Sequence, residues 1–369
     1  MSALATRSAD RTPGALPHAA LNRPARLALL GTGTVGAAFV ARHQRLRDAD
    51  VPVPVLHTLA NARGQLCCKD DALRVLQQAA ALPHRGDAGD PDLSALAAGD
   101  VVVDATASDA VAARHPHWLA RGLHVVTANK LGKGGELARA QAIARLQQSA
   151  FYGDSATVGA GLPLLRSIRA LVAGGDRIRA IEGVLSGSMG WLFDRYDGMR
   201  PFSGFVREAM AAGYTEPDPR IDLCGKDVVR KLLILARAAG IPLEAHDVQV
   251  ESLLPAVLAQ APREELDRTL AALDAPLREA YQRARRDGEQ LRFVGRFEHD
   301  ARGRHRASVG LRALPATHAL CGGSGTDNRV AIHSCRYAVQ PLVIQGPGAG
   351  AEVTAAALLD DVLRIGRRA

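Results

Sequence analysis

Two stretches far apart in the chain carry residues able to move a proton. Gly213 to Lys231, GYTEPDPRIDLCGKDVVRK, gathers four acidic residues and two prolines, then enters a helix with Asp227 and Lys231 one turn apart. Residues at i and i+4 share a helix face, so the two can pair. Read alone, the stretch is either a solvated turn with a surface ion pair or an anionic pocket beside a working lysine. Lys130 closes the second stretch, VVTANK. A lysine can give up a proton near neutrality when burial or a second cation lowers its pKa, whereas a carboxylate beside it acts the other way.

A third stretch, GTGTVG (Gly31, Thr32, Gly33, Thr34, Val35, Gly36), holds no acid or base but suits phosphates. It follows the apolar run Arg26 to Leu30 and opens an amphipathic helical pattern, the context that the dinucleotide fingerprint requires. Gly31 permits the tight turn, Gly33 lets backbone approach a pyrophosphate, and Gly36 lets helix pack on strand, with helix N–H groups facing the phosphates. The second strand ends HTLANARG, without the acid that commonly holds a ribose 2′-hydroxyl. Arg63 stands nearby and can receive a 2′-phosphate, which tilts the cofactor towards NADP; as a plain surface residue it leaves NAD.

These residues need elements to position them. Apolar runs at Arg26–Leu30, Val53–Ala60, Asp100–Ser108 and Leu123–Lys130 alternate with helical patterns such as Asp71–Leu82, so residues 25–155 read as a doubly wound parallel sheet binding a dinucleotide. Strand ends in such a sheet face the ligand crevice, which places Lys130 there. From about residue 156 to 340, strands at Ala180–Leu185, Arg292–Glu298, Arg306–Leu314 and Arg329–Ser334 alternate polar and apolar residues around a helix-rich stretch, Pro201–Arg286. The fold class is therefore α/β, a Rossmann-type domain plus an α+β domain for substrate and dimerisation. Residues 341–369 read as strand, glycine turn and helix returning to the cofactor domain.

Composition narrows the function. The 369 residues suffice for two domains, and 47% hydrophobic content supplies their cores. The net charge of +8 is not a nucleic-acid signal, because the densest basic run, Arg283 to Arg292, is interleaved with Asp287 and Glu289 and aromatics are only 4%. The five cysteines, Cys67, Cys68, Cys224, Cys321 and Cys335, have no zinc spacing and imply a reducing, cytoplasmic setting. No apolar run spans a bilayer, which argues against a membrane partner. Residues 1–24, rich in Ala, Pro and Arg, read as a disordered tail, with a transit peptide as the alternative.

GTGTVG, VVTANK, ATVGAGLPLL, LSGSMGWLF, GYTEPDPRIDLCGKDVVRKLLILAR and GPGAGAEVTAA occur in the order and approximate spacing of homoserine dehydrogenases, which the chain resembles from about Ala25 to Ile365. It is most similar to the dehydrogenase portion of fused aspartate kinase–homoserine dehydrogenases. The resemblance implies reversible oxidation of L-homoserine to L-aspartate 4-semialdehyde with NADP or NAD, on the route to threonine, methionine and isoleucine, by a homodimer. It implies that Lys231 is catalytic, that Asp227 partners it, and that Lys130 sits over the reacting end or the carboxylate. Glu216 and Asp222 would bind the α-ammonium, with Gly187, Ser188 and Tyr214 also lining the substrate. Thr106, Ser108 and the Gly348–Gly350 turn, including Ala349, would flank the nicotinamide. The chemistry agrees: a zwitterion needs carboxylates for its ammonium, and the loop offers Glu216, Asp218 and Asp222.

The pattern is broken in two places. Where the family commonly has a glutamate associated with a monovalent cation stands Ser155, leaving the carbonyls of Val158, Ala160 and Leu162 for sodium. Ile221 replaces the first of two acids after PDPR. The chain also shows no kinase or regulatory region, so a stand-alone dehydrogenase without a threonine sensor is expected. Two other readings stay open: another two-domain amino-acid dehydrogenase, and a non-catalytic nucleotide sensor, which would have lost its lysines.

Overall fold

The computed structural model describes residues 23–68, 71–83, 91–299 and 304–366. Most of the expected N-terminal tail, residues 1–22, lies outside the described residues. Arg23, still within that tail, is held by Asp100 through two hydrogen bonds of 2.9 and 2.6 Å.

Six strands form the first sheet: β1 (Arg26–Leu30), β2 (Val55–Asn61), β3 (Gly64–Cys67), β4 (Val101–Asp104), β5 (His124–Thr127) and β6 (Tyr152–Gly153). Their order is β3-β2-β1-β4-β5-β6. All neighbours are parallel except β3, which folds back on β2. The sequence reading has no strand here. GQLC is short and does not alternate, and it pairs only because the turn at Ala62 and Arg63 returns the chain on itself. Val101, Val102 and Val103 are wholly buried, as strands covered on both faces must be. The strand order reverses between β1 and β4, the point at which sheets of this type take ligands, outside the C-terminal ends of the strands.

The second sheet comprises β7 (Ile178–Val184), β8 (Val248–Val250), β9 (Glu289–His299), β10 (His305–Pro315), β11 (Asp327–Ser334) and β12 (Leu342–Pro347), in the order β12-β11-β7-β9-β10-β8. Only β8 and β10 run parallel. The helices Leu164–Ala173, Gly187–Arg195, Phe202–Ala211 and Lys226–Ala238 share its core, with Phe202, Phe205, Leu232, Phe293 and Phe297 at most 2% exposed.

After β12 the chain crosses back. The helix Ala351–Gly366 packs on the helix Thr34–Asp48 and buries Ala355, Leu358, Leu359 and Val362 against Leu27, Leu29 and Phe39. Each large side chain so buried contributes about 1.5–3 kcal/mol, which ties the end of the second sheet to the first. No helix among the described residues is long and apolar enough to cross a membrane. All five cysteines are free.

Candidate active site

The helix Lys226–Ala238 begins after Gly225, whose φ of 76° lies in the left-handed region. A Cβ there would also press on Phe293 at 3.1 Å, so glycine is the residue that lets the chain turn into this helix. Val228, Leu232 and Leu235 bury its inner face, and Lys231 lies on that face, 9% exposed. The surface-pair reading therefore fails. Lys231 Nζ donates to the Leu185 carbonyl at 2.7 Å and pairs with Asp227 Oδ2 at 2.8 Å.

Lys130 arrives from the turn after β5. It precedes the short helix Leu131–Gly134, which packs against the Lys226–Ala238 helix. Arg237 clamps the two together by donating to the carbonyls of Lys133 and Gly135 at 2.6 and 2.7 Å. Lys130 Nζ then lies 3.4 Å from Asp227 Oδ1. A carboxylate therefore sits between the two lysines. Burial works to raise the Asp227 pKa, yet Lys231 and Lys130 outweigh it and bring it down to about 2. Asp227 is an anion at any working pH.

Asp222 is positioned on both oxygens. Ser188 Oγ donates to Oδ1 at 2.7 Å, and the Glu216 N–H donates to Oδ2 at 2.9 Å. Ser186 caps the helix Gly187–Arg195 and bonds Ser188 at 2.9 Å, which holds the Gly187–Ser188 turn beside Asp222. Glu216 is exposed, and its side chain carries no ion pair among the described residues. Tyr214 is half-exposed, its ring 5.5 Å from that of Trp191. Asp218 does not join this group. It is bound by Arg220 at 2.9 and 2.6 Å and is committed to its own turn. Ile221 is 55% exposed and presents a methyl surface where the resemblance expects an acid.

At the nucleotide turn, a Cβ on Gly36 would stand 1.9 Å from the Gly31 carbonyl, so the helix can approach the turn only with glycine. Gly33 has open space around it and caps the Thr34–Asp48 helix without a side-chain bond. The first N–H groups of that helix, with no acid in its first turn, are left for an anion. Thr32 is held by Asn61, whose amide donates to its hydroxyl at 2.8 Å. Asn61 occupies the end of β2, where the family fingerprint commonly has an acid. Arg63, in the β2–β3 turn, donates to the carbonyls of Ala80 and Leu82 at 2.5 and 3.4 Å. Asp104 ends β4 and accepts from the Thr106 N–H at 2.8 Å, and Ser108 caps the helix Asp109–Ala120. Gly348 and Ala349 lie in the loop between β12 and the last helix. Gly348 packs on the buried Asn328 side chain, whose carboxamide has no hydrogen-bond partner among the described residues.

The sequence reading missed the polar support beneath these loops. Asp104 Oδ2 meets His115 at 2.9 Å, and His115 meets the Tyr152 hydroxyl at 3.0 Å, all buried. The charge that closes the apolar run VVVD was the available signal; His115 offered none. Asp154, 1% exposed, is bound by Arg169 through two bonds of 2.6 Å, with Lys133 at 3.6 Å. Ser155 has a defined partner as well: its N–H and hydroxyl donate to Asp361 of the last helix at 3.0 and 2.9 Å. Val158 is buried. Ala160 turns through φ 49°, and the Leu162 carbonyl accepts the Leu164 N–H at 2.8 Å.

Residues 163–363 match the family model described as homoserine dehydrogenase, and residues 31–150 match the one described as homoserine dehydrogenase, NAD binding domain. The chain is 42% identical over 268 residues to the bifunctional aspartokinase/homoserine dehydrogenase 1 of Zea mays, covering 72% of itself but only 29% of that longer relative. It is 33% identical over 371 residues to the homoserine dehydrogenase of Emericella nidulans, covering 94% of itself and 99% of that relative. Among solved structures it resembles a putative homoserine dehydrogenase from Archaeoglobus fulgidus, with TM-score 0.73, 25% identity and coverage of 92% and 99%.

Proposed function

Because the chain belongs to the homoserine dehydrogenase family, we propose that it interconverts L-homoserine and L-aspartate 4-semialdehyde with NAD(P), within threonine, methionine and isoleucine biosynthesis. The observation that carries this reading is the meeting of Lys130, from the turn after β5, and Lys231, from the Lys226–Ala238 helix, on one carboxylate. A sensor that had lost catalysis would have no reason to keep two lysines on one half-buried anion.

The residues fit a dinucleotide. The open space at Gly33, the uncapped helix behind it and the tight Gly31–Gly36 approach form a cradle for a pyrophosphate. The dinucleotide supplies hydride exchange at its nicotinamide, with Thr106, Ser108, Gly348 and Ala349 proposed to flank that ring. Arg63 supports NADP over NAD, since its guanidinium stands at the edge of the β2–β3 turn with donors beyond those spent on Ala80 and Leu82.

Glu216 and Asp222 take the substrate ammonium, the first from its exposed position and the second preset by Ser188. Lys130 faces the carboxylate or the reacting end. An ammonium has three donors. Lys231 spends two on Leu185 and Asp227, which leaves one for the substrate oxygen. In the reducing direction that N–H passes its proton to the carbonyl oxygen as hydride reaches the carbon. In the oxidising direction the neutral amine takes the hydroxyl proton. Asp227, ionised throughout, holds the amine in place and does not itself carry the proton.

Sodium has weaker support. The Leu162 carbonyl is already engaged, and Ser155 is turned to Asp361, so no step is assigned to a cation. A homodimer built through the second sheet, in the cytoplasm, completes the reading. The free cysteines support a reducing compartment, and sedimentation velocity tests the dimer. The function is tested spectrophotometrically with L-homoserine and NADP+: absence of reduced cofactor would sink it, and turnover of a different amino acid in its place would favour another dehydrogenase.

A further inference from the structure

Asn129 is 2% exposed, and its side chain does three things at once. Its Nδ2 donates to the Ser108 carbonyl at 2.8 Å and to Thr106 Oγ1 at 3.3 Å. Its Oδ1 accepts the Leu131 N–H at 3.0 Å, bridging across Lys130 in the chain. Its own N–H donates to Thr127 Oγ1 at 2.8 Å, and that hydroxyl donates to the Asp104 carbonyl at 3.2 Å. One carboxamide therefore joins the loop leaving β4 to the turn leaving β5, at the C-terminal ends of these two strands.

We propose that Asn129 is a positioning residue of the reaction, locking Lys130 in register with the cofactor-side loop Thr106–Ser108. The inference rests on the functional reading above. The geometry asks for both ends of a carboxamide. Aspartate keeps the acceptor for Leu131 but turns an oxygen on the Ser108 carbonyl, where donor and acceptor become two acceptors. Leucine fills the same volume and supplies neither bond. Serine is too short to span the gap. Leucine strands both the Ser108 carbonyl and the Leu131 N–H, which costs stability in any case, so melting temperature alone does not separate a lock from a filler, and kcat with NADPH affinity must. A lock requires that both replacements disturb the two loops together.

The test uses the full chain with Asn129→Asp, Asn129→Leu and Asn129→Ser, each alone and combined with Lys130→Ala. Steady-state kcat and KM are measured with homoserine, NADPH affinity by fluorescence titration, and melting temperature alongside. The expected result is a kcat loss of roughly ten- to a hundredfold in all three variants with a parallel weakening of NADPH. Lys130→Ala should then cost far less in these backgrounds than in the wild type, since Asn129 acts through Lys130. Additive losses with Lys130→Ala, or wild-type kcat in Asn129→Leu, would overturn the proposal. A variant that does not fold is dropped, and the cycle is closed with those of the three that do. An inactive wild type rejects the functional reading instead, and NADPH affinity then decides the lock: unchanged affinity in Asn129→Asp and Asn129→Leu overturns it.

Discussion

Lys130 and Lys231, 101 positions apart in the chain, one on the turn after β5 and the other on the Lys226–Ala238 helix, meet on the two oxygens of Asp227, at 3.4 and 2.8 Å. The centre is thus a cation–anion–cation line that only the packing of the Leu131–Gly134 helix on the Lys226–Ala238 helix, clamped by Arg237, can assemble.

Lys231→Ala removes the proposed proton carrier but none of the nucleotide turn. We expect kcat to fall by at least ~10²-fold, the usual size of a general acid–base contribution, while NADPH affinity measured by fluorescence stays within about twofold. Near-normal turnover would remove Lys231 from the role.

Asp227→Asn keeps the shape and deletes the charge that holds both lysines. Its loss should be non-additive with Lys130→Ala: once the anion is gone, Lys130 has lost its partner, so the second substitution adds less than it does in the wild type. A double-mutant cycle on kcat/KM checks this, and strict additivity would show that the two act separately.

Glu216→Gln alters an exposed side chain with no ion pair among the described residues, so melting temperature should not change. Loss of a charge-assisted bond to an ammonium, about 1.5–3 kcal/mol, should raise KM for homoserine by roughly ten- to a hundredfold, with a smaller effect on kcat. An unchanged KM would place the ammonium elsewhere.

Arg63→Ala tests cofactor choice. The ratio of kcat/KM for NADP+ to that for NAD+ should drop by about tenfold if the guanidinium meets a 2′-phosphate, a difference near 1.4 kcal/mol. The same ratio in variant and wild type would leave Arg63 as a cap on the Ala80 and Leu82 carbonyls.

Asp154→Asn probes the junction under the site. Burial pushes the Asp154 carboxyl up, but Arg169 and Lys133 hold it at about 2, below its ordinary value of 3.8. A depressed carboxyl contributes its stability above the unfolded value and loses it as pH falls through the folded one, so this contribution, about 2 kcal/mol, should vanish between about pH 4 and pH 2. Denaturant unfolding of wild type and variant should differ near neutrality and converge in acid. A gap that does not narrow would assign the effect to packing.

The glycine turn, the β1 strand before it and the apolar VVVD strand were legible because their signals are local: a strand must bury its side chains, and a turn against a helix must lack a Cβ. Lys130, Lys231, Asp227 and Asp222 were marked by their resemblance to the family's motifs, and their roles remain proposals. β3 was not, since four residues pair only once a turn has placed them beside β2. Asp218 was misplaced because sequence shows that an acid is present but not that Arg220 two residues on has already taken it.

What the sequence determined by itself was therefore the α/β class, the nucleotide turn and the identity of the charged residues, all set by interactions within a few residues along the chain. What only the tertiary structure decided was which charges meet. Asp227 lies between the lysines, Ser155 turns to Asp361, and Asn129 joins two loops, because each of these contacts depends on how separately folded elements pack, and hydrogen bonds act only over about 3 Å.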